Sequence, residues 1–167
     1  SVLEKKDGQW QLKNRINGFD YSGKFLEVDN ENTLWINHEY KGVFKLKVDK
    51  EYRNITEVSI DSTAKKGKSS GLIKFDGKLL YASENGVFSY DREKNFFVKD
   101  SLLSSVFSNE NKYTSGKMVV DSDDDLWLFT EKNLSYIGKG QFSNELIVNT
   151  LAIPRALRNS IIGYENI

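Results

Sequence analysis

The sequence contains no cysteine, one proline and one histidine among its 167 residues. The absence of cysteine excludes disulfides, zinc–thiolate centres and thiol nucleophiles. The single histidine, His38, excludes metal sites built from several imidazoles and leaves at most one general base of the usual kind. We therefore expect no catalytic residues, no metal and no cofactor, and we expect that the protein is not an enzyme.

Charge of one sign and long hydrophobic runs are also missing. Lys and Arg number 24, as do Asp and Glu, so the formal net charge is zero. No basic field is present to attract nucleic acid or an anionic membrane. No apolar run approaches the ~20 residues of a membrane helix, and residues 1–5 lack the pattern of a signal peptide. We expect neither direct nucleic acid binding nor a membrane span in this segment, and any targeting segment must lie outside it.

Aromatic residues are abundant, and β-branched and aromatic residues recur in short bursts between Gly, Asn, Asp and Ser. This composition predicts short β-strands joined by tight turns. Three triplets with a central aromatic recur every 46 residues. They are Leu34-Trp35-Ile36, Leu80-Tyr81-Ala82 and Leu126-Trp127-Leu128. The spacing is close to that of one β-propeller blade, and a core shared between repeats explains one aromatic per unit.

Each triplet lies within four predicted strands. An apolar run that ends at a polar turn precedes it, and two alternating runs follow it; in the first repeat these are residues 25–29, 42–48 and 55–60. Asp76-Gly77 and Asn85-Gly86 favour type I′ hairpin turns, in which both central residues take positive φ. Four short antiparallel strands per repeat are typical of a propeller blade.

We therefore predict an all-β fold, a β-propeller segment of about three four-stranded antiparallel blades with partial blades at both ends. The predicted parts are a partial blade at 1–19, blades at 20–61, 71–100 and 116–152, and the start of a further blade at 161–167. In the first of these parts we predict an outer hairpin that turns at Asp7-Gly8. Propellers usually close with four to eight blades, which favours a segment of something larger unless the two ends complete a fourth. Uncovered blade faces predict self-association.

Two motifs resemble ligand loops but are better explained otherwise. Residues 121–125 start like a calcium loop, yet Leu126 stands where the turn glycine belongs and Lys132 where the bidentate Glu belongs. Polar turns occupy the same place in the other repeats, so we interpret this segment as a turn. Gly67-Lys68-Ser69 lacks the upstream glycine of a phosphate loop, and we interpret the connection 61–70 as a solvated loop.

The candidate ligand-binding residues are Asn37, His38 and Tyr40. They fall in the loop between the second and third strands of the first repeat. In a propeller these loops share a rim with the connections between blades, where ligands commonly bind. A solvated loop histidine is a more frequent finding than a catalytic one, because no serine or cysteine nucleophile motif accompanies His38.

The repeat resembles a known family. Residues 28–36 followed by 42–46, and residues 120–128, resemble the two-component regulator propeller repeat, which has an Asp-rich turn, Leu-Trp-Ile and a Gly-Val or Gly-Leu hairpin start. Residues 85–91 keep the second half of that pattern, with Tyr81 in place of the tryptophan. Asn37-His38 and Phe129-Thr130 stand where the family has Gly-Thr.

The resemblance implies a periplasmic or extracytoplasmic sensor belonging to a membrane-anchored regulator of the Bacteroidetes kind. In such regulators the propeller binds a small ligand, often a glycan fragment. A triple-tyrosine β-sandwich, a membrane helix and an output domain follow, the output being a histidine kinase or a LuxR-like helix-turn-helix in transcription regulation. The leading hypothesis is therefore a ligand-binding sensor propeller in signal transduction.

Two alternatives stay open. One is a protein–protein interaction scaffold, although the Gly-His and Trp-Asp signatures of WD repeats are missing. The other is a propeller carbohydrate-active enzyme, which needs paired carboxylates or a metal at the central channel. The predicted inner strands carry only Glu27 and Lys74 as obvious ionisable residues.

Overall fold

The computed structural model describes residues 1–61, 63, 69–107, 113–140, 143 and 145–157. For residues 113–117 and 157 it describes the backbone alone. This part of the chain is all-β. It begins with a hairpin of β1 (Val2–Lys6) and β2 (Gln9–Asn14). A helical turn α1 (Ser101–Ser104) and a short 3-10 helix (Arg155–Leu157) are its helical elements. Among the described residues, no helix has the length and apolar character needed to cross a membrane.

Three four-stranded antiparallel sheets follow the hairpin, each a meander in chain order. Sheet A contains β3 (Phe25–Val28), β4 (Leu34–His38), β5 (Gly42–Val48) and β6 (Ile55–Asp61). Sheet B contains β7 (Gly71–Phe75), β8 (Lys78–Ser83), β9 (Gly86–Asp91) and β10 (Phe96–Lys99). Sheet C contains β11 (Tyr113–Val120), β12 (Leu126–Thr130), β13 (Asn133–Lys139) and β14 (Leu146–Ala152). The prediction of four antiparallel strands in each of three repeats is confirmed.

The three sheets pack face to face in the order A, B, C, and their first strands are neighbours, since β7 contacts both β3 and β11. Apolar side chains fill the space between the sheets in two clusters. Between sheets A and B the buried members are Trp35, Val43, Leu72, Leu79, Tyr81 and Phe97. Between sheets B and C they are Phe75, Leu80, Ala82, Val87, Leu103, Val106, Met118, Leu126, Leu128 and Ile137. Sheet B is therefore apolar on both faces, as a strand layer covered on both sides requires.

Hairpin turns set the pairing register. Asp76 and Gly77 have φ of 46° and 71° and form the predicted type I′ turn between Phe75 and its partner Lys78. The prediction that Asn85 and Gly86 are the two central residues of a type I′ turn is wrong, because the turn lies one residue earlier in the chain. Ser83 pairs with Gly86, so this turn is centred on the two residues between them, and Gly86 begins β9 with φ of 124°.

The middle repeat also departs from the 46-residue spacing. In sheet A five residues separate the paired Val28 and Leu34, whereas the sheet B turn has only two central residues. The shorter turn shifts the register of β8, and a shift of one residue moves a side chain to the opposite face. Consequently Leu80 takes the place of Trp35 in sheet B, and Tyr81 faces back towards sheet A. The predicted core role of Tyr81 is confirmed, but its equivalence to the tryptophans is wrong.

The connection after sheet B contributes to the core. Asp100 caps α1 by accepting a hydrogen bond from the backbone N of Leu103. The side chain of Leu103, together with that of Val106, is buried between sheets B and C. Ser104 Oγ accepts from the Val87 backbone N and donates to its carbonyl oxygen, both at 3.0 Å. Residues 100–107 thus cover one end of the apolar interface between sheets B and C.

The N-terminal hairpin lies largely in solvent. Asp7 and Gly8 have φ of 51° and 80°, which completes the hairpin that the sequence predicts there. Asn14 Nδ2 donates to the Tyr52 carbonyl oxygen at 2.6 Å and ties the end of β2 to sheet A. Whether this hairpin belongs to a further blade stays a prediction, and the predicted strand at 161–167 falls outside the described residues.

Truncating the two tryptophans should distinguish a covered sheet face from an open one. Trp35 is 1% exposed between sheets A and B, whereas Trp127 is only partly buried on the outer face of sheet C. We expect Trp35→Ala to lower the free energy of unfolding by about 3–5 kcal/mol. Trp127→Ala should lower it by roughly half as much or less, since fewer contacts are lost. Urea unfolding of both variants measures the difference, and equal losses would contradict the packing described.

Candidate functional site

An aromatic patch lies where the β4–β5 loop meets the segment leading into β3. We define it by Tyr21, His38, Tyr40, Lys41 and Phe44. The two chain segments are joined by the Lys24 backbone N, which donates to the Asn37 carbonyl oxygen at 2.9 Å. The Lys24 and Glu39 side chains form an ion pair at 3.6 Å beside it. The connection entering the first repeat therefore shares one rim with the β4–β5 loop.

Ring packing holds the patch together. The Tyr21 ring stacks on the Phe44 ring at a centroid distance of 5.1 Å and an interplanar angle of 20°. Lys41 Nζ lies 4.8 Å from the Tyr21 centroid, within range of a cation–π interaction. The His38 ring meets Tyr21 edge-on at 6.2 Å. Phe44 is buried at the base, so the outer rings rest on a rigid support.

His38 has a defined tautomer when neutral. Its Nδ1 accepts a hydrogen bond from the Tyr40 backbone N at 3.1 Å, which places the proton of the neutral ring on Nε2. The ring is then a donor at Nε2 and an apolar surface on its faces. Tyr40 itself is 63% exposed and Tyr21 is 48% exposed. The two tyrosine rings thus form a small accessible aromatic surface on this rim.

The patch suits a ligand with both apolar faces and polar edges. Tyrosine rings offer flat surfaces for stacking together with a hydroxyl group that hydrogen-bonds. Lys41 adds a positive charge, and Nε2 of the His38 ring adds a directed donor. A shallow surface with these groups can bind and orient a ligand.

Asn37 lies in the protein interior and not on the aromatic patch. Its side chain is fully buried, and Nδ2 donates to the Ser70 carbonyl oxygen at 3.2 Å and to Ser70 Oγ at 3.1 Å. These bonds join sheet A to the start of sheet B. Of the three residues proposed from the sequence, the structure thus brings His38 and Tyr40 together in the patch and places Asn37 between two sheets. Sequence reasoning missed Tyr21 and Lys41; an isolated tyrosine in the Gly- and Asp-rich stretch 18–23 was the available signal.

The opposite rim carries two matching aspartate turns. Asp29 Oδ1 accepts from the backbone N of Glu31 and Thr33 at 2.8 and 3.0 Å, and Oδ2 accepts from Trp35 Nε1 at 3.0 Å. In sheet C, Asp121 has the same three kinds of donor.

The donors to Asp121 are the backbone N of Asp123 and of Asp125, each at 3.0 Å, and Trp127 Nε1 at 2.7 Å. Both carboxylate oxygens of Asp121 therefore accept hydrogen bonds that stabilise its own turn and orient the Trp127 indole. The calcium-like run 121–125 is a polar turn with a structural role, as the comparison between repeats predicts.

The hydrogen bonds shift the titration of both aspartates. Burial raises the pKa of Asp29, but the bonds from the Trp35 indole and from two backbone amides outweigh it, so the pKa lies below its usual value. For Asp121, the Trp127 indole and then the Asp125 amide lower the pKa. Both turns therefore favour the ionised carboxylate.

No protein-family model, curated protein or solved structure matches this chain.

Acidification should weaken the fold through these turns. A carboxyl group with a lowered folded-state pKa stabilises the fold above its unfolded pKa of about 3.9, and this stabilisation is lost as the pH falls through the folded-state value. We expect the free energy of unfolding to decline below about pH 4. Asp121→Asn should be less stable near neutrality and show a flatter pH profile. Urea unfolding across this range measures both, with Glu84→Gln on the exposed β8–β9 turn as the control.

The different positions of Asn37 and Tyr40 give a second check. Asn37→Ala removes the buried side-chain hydrogen bonds from Asn37 to the Ser70 carbonyl oxygen and hydroxyl, and should reduce stability by about 1–3 kcal/mol. Tyr40→Ala removes an exposed ring and should change stability by no more than about 0.5 kcal/mol. Thermal and urea unfolding report both values. A large loss for Tyr40→Ala would mean that the ring supports the fold and is not a surface available to a ligand.

Proposed function

We propose that sheets A, B and C are consecutive blades of a β-propeller, and that this propeller is the ligand-binding sensor module of a signal-transducing regulator, placed outside the cytoplasm. The observation that carries the proposal is the arrangement of the sheets. Three four-stranded meanders pack face to face, and their first strands are neighbours. Blades around a central axis have this order, with the first strand of each innermost.

Two further features support the propeller. Burial in sheet A falls from the middle strands to the last, since β5 is mostly buried and β6 is mostly exposed. The same decline from β13 to β14 occurs in sheet C. In addition, both faces of sheet B are covered by neighbouring sheets. A radial stack with an exposed perimeter has both properties.

The sensor role rests on the aromatic patch and on the sequence resemblance to two-component regulator propellers. The patch combines exposed tyrosine rings, a lysine and a histidine on the rim where propellers commonly bind ligands. A glycan fragment fits this chemistry, because sugar rings present apolar C–H faces and hydroxyl edges. Signalling then requires that the ligand bind one conformation of the full regulator more tightly than another.

Direct titration tests the binding role. We expect saturable binding of at least one of maltotetraose, cellotetraose and a galacturonate tetramer, measured calorimetrically with the full chain. Tyr40→Ala should weaken that binding by roughly tenfold, as loss of a central aromatic contact commonly does. Trp10→Ala is the matched control, because Trp10 is a comparably exposed aromatic, at 69%, in the N-terminal hairpin.

Two results would contradict the proposal. Cleavage of any of these oligosaccharides by the unmodified protein would favour a carbohydrate-active enzyme. Absence of saturable binding, or equal weakening by Tyr40→Ala and Trp10→Ala, would remove the aromatic patch as a ligand site.

A further inference from the structure

The side chains of the aromatic patch offer hydrogen-bond donors and few acceptors. Lys41 Nζ is a donor with a positive charge, and it lies 4.8 Å from the centroid of the Tyr21 ring. Nε2 of the neutral His38 ring is a second donor, because Nδ1 accepts from the Tyr40 backbone N at 3.1 Å. The tyrosine hydroxyl groups act either as donors or as acceptors. Among the described residues, Lys41 forms no ion pair.

Two nearby side-chain acceptors already have partners within the protein. The Glu39 carboxylate, next to His38 in the chain, forms an ion pair with Lys24 at 3.6 Å. The Asn37 side chain is fully buried, and its Oδ1 accepts a hydrogen bond from Ser70 Oγ at 3.4 Å. A ligand on the patch therefore meets donors whose charge and hydrogen bonds these two acceptors do not satisfy.

Asp20 carries the other carboxylate in the two segments, 18–24 and 37–44, that form the patch. The rings of Phe19 and Tyr21, on either side of it in the chain, both contact the Phe44 ring, at 5.0 and 5.1 Å. When side chains two residues apart share a partner, the side chain between them points to the other side of an extended segment. We therefore expect the exposed Asp20 carboxylate on the side away from these rings.

An acidic sugar fits this set of donors better than a neutral one. Each hydroxyl group of a neutral sugar is a donor as well as an acceptor, and a donor left without an acceptor on binding costs free energy. A carboxylate only accepts, and its hydrogen bonds to charged donors are the stronger kind. Lys41 directly follows the exposed Tyr40 in the chain, which places a positive charge beside a ring on which a sugar can stack.

We propose that the aromatic patch selects acidic sugars, with Lys41 Nζ pairing with a carboxylate of the ligand and His38 Nε2 donating a hydrogen bond to it. The inference rests on the ligand-binding role proposed above and adds the chemical class of the sugar. Tyr40 supplies stacking, which depends little on the charge of the ligand, whereas Lys41 supplies the preference for an anion. Mutation separates the two contributions.

Calorimetric titration with a galacturonate tetramer and with its methyl ester tests the preference, because these ligands differ only at their carboxyl groups. We expect the full chain to bind the acid roughly three- to fivefold more tightly than the ester, as a solvent-exposed ion pair allows. Added salt should weaken binding of the acid alone. Lys41→Gln should bring the two dissociation constants close together. Tyr40→Ala should weaken binding of both ligands and leave the ratio of their dissociation constants unchanged.

Lys50→Gln is the matched control, because Lys50 is an exposed lysine in the β5–β6 turn on the opposite rim, and this variant should keep the preference. Asp20→Asn should keep it too; a stronger preference in that variant would place a carboxylate on the patch and contradict the balance of donors. If the acid binds no more tightly than the ester, or if the preference survives Lys41→Gln, this inference is wrong while the patch remains a ligand site. Absence of binding of the acid, the ester and the neutral tetramers alike would overturn the proposed function as well.

Discussion

The fold depends on sheets that are apolar on both faces. In sheet B, Leu80 and Ala82 point towards sheet C, while Leu72 and Tyr81 point towards sheet A. Such a sheet cannot leave either face in water without losing about 25 cal/mol for each Å² of apolar surface that stays exposed. Neighbouring sheets must therefore stack on both sides, and the stacking places the β3–β4 and β4–β5 loops on opposite rims. The aromatic patch and the aspartate turns are both consequences of that geometry.

Polar interactions then fix each sheet within the stack. The aspartate turns hold a tryptophan indole by its N–H and so orient a large ring that would otherwise have several rotamers. Lys45 adds a link between sheets A and B, because its Nζ lies 5.2 Å from both the Trp35 and Tyr90 rings and donates to Tyr90 Oη at 3.0 Å. Apolar contact drives association of the sheets, and these directional bonds select one arrangement.

Local patterns predicted most of the fold. Alternating runs and turn dipeptides were sufficient for the four strands of each repeat and for the hairpins at Asp7-Gly8 and Asp76-Gly77, because these are determined by neighbouring residues. The face on which Tyr81 lies was not predictable from a spacing of 46. That face depends on the number of residues in the β7–β8 turn, and period-two structures respond to a single residue.

The candidate site was predicted only in part for a similar reason. His38 ends β4 and Tyr40 lies in the loop that follows it, so both were accessible to sequence reasoning. Tyr21 joins them through stacking on Phe44, a contact over 23 positions that no local pattern encodes. Asn37 was misplaced because residues adjacent in a strand point to opposite faces, so its neighbour His38 lies on the patch while Asn37 bonds to Ser70.

The short turn of sheet B also limits how this chain could have been assembled by copying repeats. Sheets A and C share a long aspartate turn and a tryptophan on the same face, whereas sheet B has two turn residues and the opposite alternation. Exchange of gene segments between A and C would keep every side chain on its original face. Exchange with B inside the first hairpin would invert the following strand. Exchange within that hairpin would therefore preserve the core between the outer repeats and disrupt it in the middle one.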